Sequence, residues 1–361
     1  MATILAGSGM AQSDHLFYVG GYSPSITAFR FHSANGKVTR IGTAVDTPAA
    51  SFLVVHPNGR FLYAVNEEGK NTDTISAFAI DAKSGKLTPL NTVPSRGSSP
   101  CHLAFDKTGR FLAVANYANG TVAVFAVLPD GQIGEAVGFD QLHGSSVSPP
   151  RQTGPHAHCM VFSPDNRFLL SADLGADKVR VYRFNAATGA ITPNDPPAFS
   201  VKPGSGPRHL EFHPNGKVAY LLNELASTIE VLHWDAATGT FDSGQTVSTL
   251  PEDFAGQNTA AELAVNAAAT RLYASNRGLD TLALFSIDPE RALLFPMERT
   301  GSLGKTPRHF TFDPTGRFLL VANQESDNLI VFSVHPATGE LRPVGPPVTH
   351  LQQPACVAFV R

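Results

Sequence analysis

Six times in this chain an apolar run meets a short turn and is followed by a second apolar run. The phrases are VHPNGRFLYAVNE from Val55, FDKTGRFLAVANY from Phe105, FSPDNRFLLSADL from Phe162, FHPNGKVAYLLNE from Phe212, VNAAATRLYASNR from Val265 and FDPTGRFLLVANQ from Phe312. They align without gaps. The residues just after the turns, Arg60, Arg110, Arg167, Lys217, Thr270 and Arg317, are spaced by 50, 57, 50, 53 and 47 residues. A self-similar period of this length marks one supersecondary unit that buries its apolar faces against its neighbours. Each unit continues into a third apolar run (TISAFAID, TVAVFAV, KVRVYRF, TIEVLHW, TLALFSI, NLIVFSV). In several an ATG or SGK turn then leads to a fourth run. Four antiparallel strands per unit describe a propeller blade.

The two ends complete the count. LFYVGGYSPSITAFRFHSANGKVTRIGTAV from Leu16 supplies the second, third and fourth strands of a unit, and QQPACVAFV from Gln352 supplies a first strand with nothing after it. Joined, they make a seventh blade and leave no open sheet edge in the ring. The expectation is an all-β, seven-bladed propeller with four antiparallel strands per blade, its N- and C-terminal strands sharing one blade. It forms a single domain over residues 14–361, preferred to two unrelated β-sandwiches. The frequent punctuation by 31 glycines and 27 prolines agrees with mostly β-structure. Residues 1–13, MATILAGSGMAQS, lack the basic region and apolar length of an ordinary secretory signal. They read as a disordered or cloning-derived tail, with an export-signal remnant as the lesser reading.

A net charge of -3 without basic blocks argues against nucleic acid as a partner. No stretch approaches the roughly 20 apolar residues of a membrane helix. Cys101, Cys159 and Cys356 form neither a CxxC pair nor a disulfide framework, which points to a cytoplasmic location. A monomer or weak homodimer is expected.

In a propeller the first strand of each blade lines the central channel and the second runs antiparallel beside it, so the start of one and the end of the other share a face. At the starts stand Ser51, Cys101, His158, Arg208, Ala261, Arg308 and Ala355. At the ends stand Tyr22, Glu67, Tyr117, Leu174, Glu224, Arg277 and Gln324. His158, Arg208 with Glu224, and Arg277 fall in three consecutive blades and form the candidate catalytic group. The arginines suit a carboxylate, a phosphate or a developing oxyanion. Glu224 or His158 is the candidate base.

Substrate-binding candidates around them are Arg308, His209, Asn223, Glu262, Gln324 and His156. Asn223 belongs to a series of asparagines whose side chains are expected to brace turns. His209 and His309 each follow an arginine, so strand alternation is expected to turn one member of each pair away from the channel. The long loop LHGSSVSPPRQTGPHAH is expected to form part of a wall or lid. The chain has no G-x-S-x-G elbow, H-E-x-x-H helix, P-loop or EF-hand, which leaves serine-acyl and helical-zinc chemistry unsupported. No metal or cofactor is expected.

GPHAHCMVFSPDNRFLLSADLGADKVRVY, GPRHLEFHPNGKVAYLLNEL, ASNRG and TPRHFTFDPTGRFLLVANQ together resemble the seven-bladed propeller lactonase family, over residues 15–361. That family includes bacterial 6-phosphogluconolactonases and fungal 3-carboxy-cis,cis-muconate cyclase. The resemblance implies a small anionic lactone as substrate and a site at the channel mouth using His158, Arg208, Glu224 and Arg277. Hydrolysis of 6-phospho-D-glucono-1,5-lactone, the lactone step of the pentose phosphate pathway, is the leading expectation. The alternatives are the lactone-forming muconate reaction and a non-catalytic protein-binding propeller.

Overall fold

A computed structural model describes residues 14–69 and 73–360. The tail expected at residues 1–13 lies outside the described residues. Seven four-stranded antiparallel sheets form the blades of one propeller. Among the described residues the only helical element is one 3₁₀ turn, Gln324–Ser326. The terminal strands close the ring as expected: Pro354–Phe359 pairs with Asp14–Gly21, Phe17 opposite Phe359 and Val19 opposite Val357.

The repeated phrase folds the same way in each blade because its turn chemistry is local. In HPNG, His213 Nδ1 accepts the Asn215 amide at 3.1 Å, Asn215 Oδ1 accepts the Lys217 amide at 2.9 Å, and Gly216 takes φ of 68°. That left-handed conformation suits glycine, and Gly59, Gly109 and Gly316 repeat it. The apolar runs on either side bury against the next blade. Seven buried clusters fill the seven interfaces; one joins Tyr220, Leu222 and Ile229 to Leu272, Ala274 and Phe285 of the following blade. Burying several large apolar side chains at each interface, at roughly 1.5–3 kcal/mol apiece, holds the ring together without helices.

The asparagines at the ends of the second strands are braces, as expected. Asn66, Asn116, Asn276 and Asn323 donate through Nδ2 to the carbonyls of Pro48, Ser95, Thr249 and Ser302, all in the segments that lead to their own blade's inner strand. Asn223 instead donates to Thr228 and Glu230. The first four pin the segment that leads into the inner strand at the channel mouth, whereas Asn223 ties its strand end to the third strand.

Candidate active site

The expectation from strand alternation fails at the mouth for a specific reason. On the inner strand of blade five, Pro207 pairs with Asn223 and His209 pairs with Leu222, so Arg208 is an extra, unpaired residue. The same bulge isolates Cys101, His158, Arg308 and Ala355. A bulge inserts one residue and re-aims its neighbours. Arg208 and His209 are therefore both buried on the channel side, and His209 is not turned away.

A cavity of about 350 Å³ opens at this mouth, lined by Tyr22, Glu67, Cys101, Tyr117, Arg151, His158, Glu224, Arg277 and Arg308. Glu224 is its electrostatic centre. Oε1 accepts from Arg151 Nη2 at 2.6 Å, and Oε2 accepts from Arg277 Nη2 at 3.0 Å and Arg208 Nε at 3.1 Å. Burial opposes its ionisation, but the guanidiniums of Arg277, Arg208 and Arg151 prevail and hold its pKa down at about 2. Both oxygens are occupied, so Glu224 is suited to organising arginines and poorly suited to accepting a proton.

The three arginines stand at graded depth, with side-chain exposures of 41% for Arg151, 13% for Arg277 and 3% for Arg208. Arg208 lies behind Glu224 and does not line the cavity. Burial lowers its pKa and also brings that of Arg277 down to about 10, helped there by Arg208 and Arg308 and opposed by Glu224. Across the cavity Arg308 Nη2 donates to Tyr22 Oη at 3.0 Å, and Tyr22 donates in turn to Glu67 Oε2 at 2.8 Å. Four guanidiniums thus surround two carboxylates, an arrangement built to receive an anion.

His158 also lines the cavity, and its Nδ1 is buried without a hydrogen-bond partner among the described residues. Burial, then Arg208, His209 and the other arginines, push its pKa well below the ordinary histidine value, so the ring is neutral. Cys101 is no thiolate nucleophile: burial drives its pKa well above the usual thiol value.

Several expected binding residues stand elsewhere. His209 sits beneath Arg208, accepting from its Nη1 at 3.1 Å and donating from Nδ1 to Glu262 Oε1 at 2.9 Å, so both form the floor below the cavity. Asn223 is fully buried as a brace. Gln324 begins the 3₁₀ turn, which carries it away from the lining. His156 stacks on Tyr117 with centroids 4.4 Å apart and donates to its carbonyl at 2.7 Å, supporting a lining residue from behind. The residue that sequence reasoning missed is Arg151. It lies in the long Pro-rich loop, whose expected part in the wall was the available signal, but outside the repeat that ring alignment can read.

The loop is pinned and does not hang free. The fully buried Gln152 accepts the Ser148 amide at 3.1 Å and donates to the Leu174 carbonyl at 2.8 Å, which aims its neighbour Arg151 at Glu224. Among the described residues no group of three or more His, Cys, Asp and Glu side chains is placed to hold a metal ion.

The family described as "Lactonase, 7-bladed beta-propeller" matches this chain over residues 16–359. The chain belongs to that family. It is 32% identical over 352 residues to the 6-phosphogluconolactonase of Bacillus subtilis, covering 96% of this chain and 99% of that one. It is 34% identical over 321 residues to the 6-phosphogluconolactonase of Formosa agariphila, covering 88% and 90%. Among solved structures, the periplasmic gluconolactonase of Pseudomonas aeruginosa superposes with a TM-score of 0.91 at 35% identity, covering 97% of this lactonase and 99% of that chain. No helix among the described residues is long and apolar enough to cross a membrane. Since one relative is named as periplasmic, the expectation of a cytoplasmic location rests on cysteine spacing alone.

Proposed function

We propose that this lactonase hydrolyses a sugar lactone, 6-phospho-D-glucono-1,5-lactone, to 6-phosphogluconate, the lactone step of the pentose phosphate pathway. The observation that carries the reading is the cavity itself, in which an excess of guanidinium charge is organised by Glu224 beside a neutral, uncommitted His158. The names of the relatives support the choice of lactone.

In the proposed mechanism water attacks the lactone carbonyl carbon while His158 takes its proton. Negative charge develops on the carbonyl oxygen, where Arg277 stabilises it. The ring C–O bond then breaks, and the imidazolium returns the proton to the departing alkoxide. The new carboxylic acid ionises to solvent. An imidazole held among arginines is a modest base and a strong acid. That balance suits an ester whose ring is readily attacked and whose alkoxide is the poorer leaving group. Glu224 and Arg208 act in this scheme by orienting Arg277 and Arg151.

The test is acid release from freshly prepared 6-phosphogluconolactone against the spontaneous rate. Hydrolysis well above that rate, lost in His158→Phe, is expected. No acceleration by the wild type, or rapid cyclisation of a carboxymuconate in its place, would overturn the assignment.

A further inference from the structure

Two arginine–tyrosine pairs face the cavity, and they differ in one proton. Arg308 donates to Tyr22 Oη, whose own hydroxyl is committed to Glu67, a carboxylate that also accepts Ser51 Oγ at 2.5 Å. Arg151 donates to Tyr117 Oη through Nη2 at 2.9 Å and Nε at 3.2 Å, which leaves the Tyr117 proton without an acceptor among the described residues. Arg151 Nη1 likewise has no partner among the described residues. One rim therefore offers free N–H and O–H donors side by side, while on the other Arg308 stands beside a carboxylate and the tyrosine proton is already committed.

We propose that Arg151 and Tyr117 form a phosphate-reading subsite that makes the enzyme prefer phosphorylated over unphosphorylated sugar lactones. The proposal rests on the lactonase function above. A guanidinium with an adjacent hydroxyl donor matches phosphate oxygens, which accept several charge-assisted hydrogen bonds. Arg151 is also the most exposed of the three arginines around Glu224, as a contact to the far end of a substrate requires. Its position is fixed by the buried Gln152, so the subsite exists before substrate arrives. On the Tyr22–Glu67 rim the carboxylate offsets Arg308, so that side presents no net positive charge to a phosphate and offers Glu67 as an acceptor for sugar hydroxyls. A lactone with its phosphate at Arg151 and its hydroxyls towards Glu67 then lies across the cavity that His158 and Arg277 line.

The experiment measures kcat/KM for 6-phosphogluconolactone and for glucono-1,5-lactone in wild type, Arg151→Gln and Arg308→Gln, and compares the ratio of the two within each protein. Taking the ratio removes differences in folding yield. The wild-type ratio is expected to exceed ten, and Arg151→Gln is expected to lower it at least tenfold and by more than Arg308→Gln does. A smaller fall, a larger fall in Arg308→Gln, or a wild type that does not distinguish the substrates overturns the subsite while leaving the lactonase function standing. A wild type that accelerates neither hydrolysis overturns the function, and the subsite with it. Should Arg151→Gln fail to fold, Tyr117→Phe replaces it. A threefold or greater fall in its ratio is then expected, and a smaller one overturns the subsite.

Discussion

The row of charged side chains at the mouth and the row of rings beneath it include consecutive residues of one inner strand, Arg208 and His209, yet they handle charge in opposite ways. In the upper row Glu224 compensates Arg151, Arg208 and Arg277 by direct contact. In the lower row His102 and His209 are held neutral by burial and by the arginines and histidines around them, and His309 is lowered to about 4. The lower rings pack against one another, His102 on His209 at 5.2 Å and Phe52 on His102 at 4.2 Å. A cluster of guanidiniums can be concentrated at the mouth because the floor beneath adds hydrogen bonds without adding positive charge.

The largest effect is expected from Glu224→Gln. It leaves three guanidiniums near one another without their counter-charge, so stability falls by on the order of 3–5 kcal/mol and kcat by roughly 10²–10³-fold, read by thermal melts and acid release. His158→Phe separates the two properties. Its Nδ1 has no partner to lose, so kcat falls by roughly 10²-fold with the melting temperature nearly unchanged; a large loss of stability would show that the ring is part of the floor.

His209→Phe inverts the pattern. Removing the link between Arg208 and Glu262 lowers stability by about 1–3 kcal/mol while kcat falls less than tenfold. A collapse of kcat as deep as that of His158→Phe would place the floor in the chemistry.

The mildest effect is that of pH. His158 at the mouth and His102, His209 and His309 in the floor have folded pKa values below the unfolded one, chiefly through burial. Their contribution to stability is therefore fully present above about pH 6.5 and is lost as pH falls through the folded values, about 4 for His309. Melting temperatures are expected to be level from pH 7 to 8 and to decline below pH 6.5. The acid limb of kcat/KM is expected well below the ordinary histidine range, because burial and the neighbouring Arg208 keep His158 neutral. An acid limb centred at 6.5 would contradict a shielded imidazole.

Much of the fold was legible because a propeller writes itself into the sequence as a period, and the positions of Arg208, Glu224, Arg277 and His158 within that period placed them on one face. Tyr22, Glu67, Tyr117 and Cys101 were readable as ring positions too, although their chemistry gave no reason to choose them. Two things escaped. The bulges at Arg208 and Arg308 broke the alternation that would have separated each arginine from the histidine after it. Arg151 sits on a loop whose path depends on where a buried glutamine finds its partners.

By itself, then, the sequence determined the number of blades, the closure of the ring and which strand ends meet at its mouth, but not the part of the loop residue Arg151. These follow from turn chemistry and apolar runs that act over a few residues and repeat. Only the tertiary structure decided which residues at the mouth carry free donors. That outcome depends on contacts between distant segments, such as Arg151 with Glu224 across 73 positions and Tyr22 with Glu67 across 45. Such contacts fix whether a carboxylate is a base or an anchor, and whether a tyrosine keeps its proton for a ligand.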